Sequence, residues 1–184
     1  MSNRSEEKQV KRQTILTVLS VLLILVPPLA VGQEKQVAGP SAAQSAFETM
    51  KKWAGEWEGE TTGGEKGRVI YRLTGAGSAL METLAPGTPH EMVSMYHMNG
   101  PDLVMTHYCA AGNQPHLRFD PSASKPDLFV FTFVRGSNMD VTKDMHIHGV
   151  VFRVVDDDHI ESEWESYKDG KAADSLKFVV ARKK

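Results

Sequence analysis

The sequence predicts an all-β protein: about ten short strands closing into an antiparallel up-and-down β-barrel, preceded by one short N-terminal helix. Three observations predict it. Beyond Gly55 the hydropathy period is two rather than 3.6, so successive side chains alternate between two faces as they do on strands. The alternating runs are broken at short intervals by residues that tight turns require, among them Gly63-Gly64, Pro86-Gly87, Asn99-Gly100, Asp120-Pro121 and Asp169-Gly170. No second helical pattern follows, so hairpins must join neighbouring strands, and an open sheet of that size would leave two edges that closure removes.

The chain opens on Arg4, Lys8, Lys11 and Arg12, then the mostly apolar run 15–26, then Pro27, Pro28 and the small residues Ala30 and Gly32. A basic start, a short apolar run and small residues make a cleavable secretory signal, expected over residues 1–32 with cleavage after Ala30 or Gly32. The run falls short of the roughly 20 residues that span a bilayer, so no stable membrane span is expected after cleavage and the destination is periplasmic or extracellular. An uncleaved anchor is the alternative, because Glu6 and Glu7 belong to an unusually long leading segment. Residues 33–41 are polar and carry Gly and Pro, which suits a flexible linker, and 42–184 is one domain's worth of chain.

The formal charge is −2; residues 1–32 hold four of the 21 basic and two of the 23 acidic residues, so the remainder carries −4. No run of Lys and Arg is present, which argues against nucleic acid or an anionic membrane surface as a partner. Cys109 is the one cysteine, so burial and strand pairing must hold the domain without an internal disulfide.

Within 42–54, Ala43, Phe47, Met50 and Trp53 recur at three- and four-residue steps, the spacing of one helical face, with Ser41 opening the helix and Gly55 ending it. Strands are expected over 56–62, 67–74, 79–84, 91–98, 103–110, 116–119, 128–134, 145–155, 159–167 and 173–181. In 159–167, Ile160, Ser162, Trp164 and Ser166 alternate with Glu161, Glu163 and Glu165, so one face is solvated and the glutamates read as surface rather than as a catalytic cluster. Phe129, Phe131 and Phe133 share a face opposite Val130, Thr132 and Val134; one set fills the barrel and the other packs under the helix or forms an exposed patch. A flattened β-sandwich is the competing architecture.

A helix leading into Trp53-Ala54-Gly55-Glu56-Trp57-Glu58-Gly59, with Gly-x-Trp at the start of the first strand, resembles the calycin barrels: lipocalins, fatty-acid-binding proteins and nitrobindin-like haem barrels. Together with Thr106-His107-Tyr108-Cys109-Ala110-Ala111-Gly112-Asn113-Gln114-Pro115, the arrangement looks most like the bacterial lipocalin-like family DUF1579 and its exported relatives, over about residues 45–184. The resemblance implies an interior cavity, a helix near one end and Trp57 packed across the barrel floor. Nitrobindin-like barrels hold haem through a histidine near the C-terminal end, but residues 172–184 contain none, so haem would have to use His107, His146, His148 or His159 instead.

The stretch 107–116 is the densest in functional side chains. His107 and Cys109 lie two apart on a strand and project from one face, followed by the hydrogen-bonding pair Asn113 and Gln114. If that face points inward they line a small-molecule cavity; otherwise His107 is a satisfied core histidine and Cys109 a small hydrophobe. As a nucleophile and base the two are badly spaced, since strand neighbours two apart lie about 7 Å from each other. His146 and His148 also share a face, but a pair is not a metal site without a third ligand. The reading is therefore an exported barrel binding a small apolar or amphipathic molecule, with Trp57, Tyr96, His107, Cys109, Asn113, Gln114 and Trp164 as cavity or floor residues. Two alternatives stay open: a haem- or metal-dependent redox protein using His107 or the His146/His148 pair, and a scaffold or interaction domain. No catalytic residue is assigned, no cofactor is required by the sequence, and no oligomeric state is specified.

Overall fold

The structure is a computed structural model that describes residues 39–184. The expected leader over 1–32 and most of the linker over 33–41 lie outside the described residues. Helix α1 (Ala42–Lys51) precedes ten strands: β1 (Gly55–Thr61), β2 (Lys66–Thr74), β3 (Ala79–Leu84), β4 (Met92–Asn99), β5 (Asp102–Tyr108), β6 (Gln114–Phe119), β7 (Leu128–Ser137), β8 (His146–Asp156), β9 (His159–Lys168) and β10 (Lys171–Arg182). Each strand pairs antiparallel with its sequence neighbours, and β10 pairs with β1, so the sheet closes and the sandwich alternative is excluded.

Ser41 starts α1 through a capping box: its hydroxyl accepts from the Gln44 amide at 3.2 Å, and the Gln44 side chain accepts from the Ser41 amide at 2.8 Å. Ala43, Ala46, Phe47 and Met50 form its buried face. The helix stops at Lys51, three residues short of the 42–54 that the periodicity suggests. The amides that would continue it bond three residues back instead of four, Lys52 to Thr49 at 3.0 Å and Trp53 to Met50 at 2.9 Å, while the Lys52 and Ala54 carbonyls accept from the Arg182 guanidinium at 2.9 and 3.0 Å and the Trp53 carbonyl accepts from the Trp57 indole at 2.8 Å. Gly55 then turns the chain into β1 with φ of 139°, a conformation other residues rarely adopt.

The inner faces divide the barrel interior into two halves. Around the helix end, Trp53 packs against Tyr71, Phe129 and Phe152 with ring centroids 5.4, 5.9 and 5.3 Å apart, and Phe131, Tyr96 and Phe119 continue the aromatic packing edge to face. Phe129 and Phe131 are thus the barrel-filling set, whereas Val134 on the opposite face is exposed and away from the helix groove. The other half is hollow. On β9 the expected alternation is seen: Ile160, Ser162 and Trp164 are buried, while Glu161 pairs with Lys177 at 2.8 Å and Glu163 accepts from Ser175 at the surface.

The seam between β1 and β10 is close. A Cβ placed on Gly59 would lie 1.9 Å from the Val179 carbonyl oxygen, so no side chain fits without parting the two strands. Gly59→Ala is therefore expected to destabilise the fold by about 3 kcal/mol or more, as overpacking against backbone that cannot move aside. Urea unfolding measures this, and a variant as stable as the parent would show that the seam is looser than drawn.

Candidate functional site

The hollow half is a cavity of about 600 Å³ at the barrel end remote from α1, within the range of small-molecule sites. Its wall is mainly apolar, with Leu84, Met92, Ile147, Trp164 and Phe178 among the lining residues. The rim comes from loops and strand ends: Thr62 and Gly63, His90, the turn Cys109–Ala111, Met145, and the stretch Asp174–Leu176. Among the described residues of this lining Asp174 is the one formally charged side chain, and neither Lys nor Arg contributes.

A row of four inward residues crosses the barrel just beneath. Tyr71 stands opposite Glu82, Glu82 opposite Ser94, and Ser94 opposite His107, one residue on each of β2, β3, β4 and β5. Register alone juxtaposes them, because directly opposed residues on one sheet face have Cβ atoms about 5 Å apart. Tyr71 donates its hydroxyl to one Glu82 oxygen at 2.8 Å, and Tyr96 donates to the other at 2.7 Å. Ser94 Oγ lies 3.0 Å from His107 Nδ1. Glu82 is fully buried and forms no ion pair among the described residues. Burial raises its pKa above the usual carboxylate value, against the opposing pull of hydrogen bonds from Tyr96 and Tyr71. Burial, followed by the charge of Glu82, holds Tyr71 and Tyr96 well above the ordinary phenol value.

His107 ends the row at the cavity. It is 1% exposed, its ring packs 5.1 Å from that of Trp164, and its Nε2 is a buried nitrogen without a hydrogen-bond partner among the described residues. Burial lowers its pKa from 6.5 to about 4, so the imidazole is neutral at physiological pH. Its Nδ1 partner is Ser94, not Cys109, and no hydrogen bond joins Cys109 to an activating base.

Of the residues the sequence singles out, the cavity brings together His107, Cys109 and Trp164. The other four lie outside its lining. Trp57 is at the opposite end, beneath the Arg182 guanidinium at 4.4 Å. Tyr96 lies in the network under the cavity. Asn113 ties the β5–β6 loop to the start of β8 by donating to the Met145 carbonyl at 2.7 Å, and Gln114 bonds back to Gly112. That loop also ends β5 at Tyr108, two residues early, because the Cys109 amide bonds to Asn113 at 3.0 Å and Gly112 adopts a φ of 84°. Glu82 is the residue sequence reasoning passes over. Its signal is present in Ala79–Leu84, where Leu80, Glu82 and Leu84 share a face, so a carboxyl stands between two core leucines.

His146 and His148 use each other. His146 Nδ1 bonds to the Asp144 carbonyl at 2.8 Å, so its Nε2 accepts from His148 Nδ1 at 3.2 Å. His148 lies flat between Tyr167 and Phe133, 3.7 and 4.8 Å away. One nitrogen of the pair, His148 Nε2, is left over, and among the described residues no three His, Cys, Asp or Glu side chains are grouped to hold a metal. His159 pairs with Asp156 on the surface.

A scan against protein-family models finds none that matches the chain, and a search of curated proteins finds no relative.

The buried imidazole has a pH signature. The unfolded chain takes up a proton on His107 near pH 6.5, whereas the folded protein resists it until about pH 4, so this residue costs stability as the pH falls through that window. The raised pKa of Glu82 acts with the opposite sign, costing stability as the pH rises through its own window. Measured by urea unfolding between pH 6.5 and 4, the stability difference between His107→Leu and the parent is expected to move by about 3 kcal/mol in favour of the variant. A constant difference would mean that His107 does not stay neutral in the folded state.

Proposed function

We propose that this protein is an exported binding protein for a small amphipathic molecule, held in the open half of the barrel. The observation that carries the reading is a mainly apolar cavity of about 600 Å³ whose lining brings together His107, Cys109 and Trp164. The basic and apolar order of residues 1–32 supports export, and the resemblance of the WAGEWEGE opening to lipocalin-like exported families supports a carrier or sensor role.

Native mass spectrometry of protein secreted from its own leader tests both parts. The expected spectrum shows a polypeptide beginning near residue 31 or 33, and a native-only extra mass that denaturation removes. In the purified protein Met92→Trp, which fills the cavity from β4, is expected to weaken binding of the neutral dye Nile red by about tenfold, the weight of about 1.4 kcal/mol of lost contact. Dye binding unaffected by that change would place the ligand elsewhere.

The residues present do not fit a haem. Iron coordination would require a flat porphyrin to reach Nε2 of His107, but that nitrogen is covered and the Trp164 ring stands 5.1 Å from the imidazole. Among the described residues the lining also supplies no Lys or Arg for the propionates. Haemin added to the protein is expected to keep the spectrum of free haemin, and a sharp Soret band lost in His107→Ala would reinstate the haem reading.

A further inference from the structure

At the cavity mouth β10 overruns its partner in the seam. β1 pairs with residues 178–182, so among the described residues 171–176 have β9 as their one strand partner. The β9–β10 ladder bulges there. Ala172 stands opposite Tyr167 but Ser175 opposite Glu165, so Ala173 and Asp174 together face the single residue Ser166. The Ser166 hydroxyl fills the interrupted ladder, accepting from the Asp174 amide at 3.2 Å and donating to the Asp174 carbonyl at 3.1 Å. The backbone of Asp174 is thus held by one side chain, while its carboxylate accepts no hydrogen bond and forms no ion pair among the described residues. Lys177, three residues on, is paired with Glu161 at 2.8 Å. Bulges at barrel rims re-aim side chains, and both Ser166 and Asp174 line the cavity.

Resting on the binding reading above, we infer that the cavity takes an amphipathic amine, its apolar body inside the barrel and its ammonium at the Asp174 carboxylate, in preference to carboxylic acids. Leu84, Ile147, Trp164 and Phe178 give the body an apolar wall. A carboxylate accepts hydrogen bonds only, which an ammonium supplies and a second carboxylate does not. The lysines at this end of the barrel, Lys66, Lys143 and Lys171, lie outside the lining, and Lys143 is paired with Asp140 at 2.9 Å. An acidic ligand would therefore meet a like charge at the rim and no cation to offset it. Because the ammonium stays at the rim within reach of water, its pairing with Asp174 contributes little by itself. Discrimination comes from attraction of one sign added to repulsion of the other. The charge of −4 carried beyond residue 32 acts in the same sense on the approach of either ligand.

Calorimetric titration of the purified protein with naphthylmethylamine, naphthylmethanol and naphthoate varies the charge on a constant ring. The amine is expected to bind about tenfold tighter than naphthoate, with the alcohol between them, and added salt is expected to narrow that spread. Asp174→Asn is expected to bring the amine to the affinity of the alcohol while leaving the alcohol itself unchanged, which shows the cavity intact. Asp174→Lys is expected to reverse the order of amine and naphthoate. His90→Gln, which removes an imidazole from the rim, is expected to keep the parent order. Naphthoate binding as tightly as the amine in the parent protein would sink the selectivity while leaving a generic apolar cavity standing. An amine preference that survives in Asp174→Asn overturns the proposal too, because the selection by charge then lies elsewhere. No binding by any of the three overturns the selectivity, and the native mass spectrum then decides the binding reading separately.

Discussion

A closed meander depends on one pairing that its hairpins do not provide, that of its first strand with its last. Here β1 and β10 meet at a glycine, Gly59, where any side chain would strike the backbone of Val179. Arg182, near the end of β10, then locks the joint. It stands opposite Trp57, lays its guanidinium over the indole, and donates to the carbonyls of Lys52 and Ala54 that α1 leaves unpaired. It also pairs with Asp158 in the β8–β9 turn at 3.2 Å. One side chain therefore joins the helix end, both seam strands and a neighbouring hairpin. Strand pairing between residues more than a hundred positions apart gains nothing until the loop closes, so such a lock matters more than its individual bonds suggest.

Closure at that end has a consequence at the other. The rings of Trp53, Tyr71, Phe129 and Phe152 fill the interior near the helix and bury the apolar surface that stabilises the domain. The remote half need not contribute a packed core, and its wall is left free to form a cavity. The cavity's polar groups sit at the boundary between the halves, where they are dry enough for hydrogen bonds to be strong and unpaired groups costly.

The strand count, the strand order and the inward face of β9 were legible because their signals are local: alternation, turn residues and the absence of a second helix. His107, Cys109 and Trp164 were legible as cavity residues for the same reason, since face alternation follows from sequence once a strand is placed. The helix end was not, because Trp53 keeps the apolar spacing of the helix face after the backbone bonds have tightened to three-residue steps at Lys52 and Trp53. The Glu82 network was missed for a different reason. Its members are 11 to 14 positions apart in neighbouring strands, and only the register of three hairpins sets Tyr71, Glu82, Ser94 and His107 in one row. Asn113 and Gln114 carry groups that suit a ligand, but their amide nitrogens close the loop and both residues lie outside the cavity lining, and residue type alone cannot distinguish a turn's own hydrogen bonds from those offered to a guest.

A buried carboxyl without a cation is an expensive component, and replacing such groups with apolar ones of similar shape often stabilises a protein. Glu82 is not at the periphery, where water could relieve it, but joins the aromatic plug to the cavity. Tyr71 packs against Trp53 and Trp57 at 5.4 and 6.3 Å and donates to Glu82; Ser94 stands opposite Glu82 in register and bonds to His107; His107 abuts Trp164 in the cavity wall. Each member is fixed by the one before it, starting from the ring that Arg182 pins to the seam. A loosened seam would therefore reach the cavity as a change in how an imidazole is held.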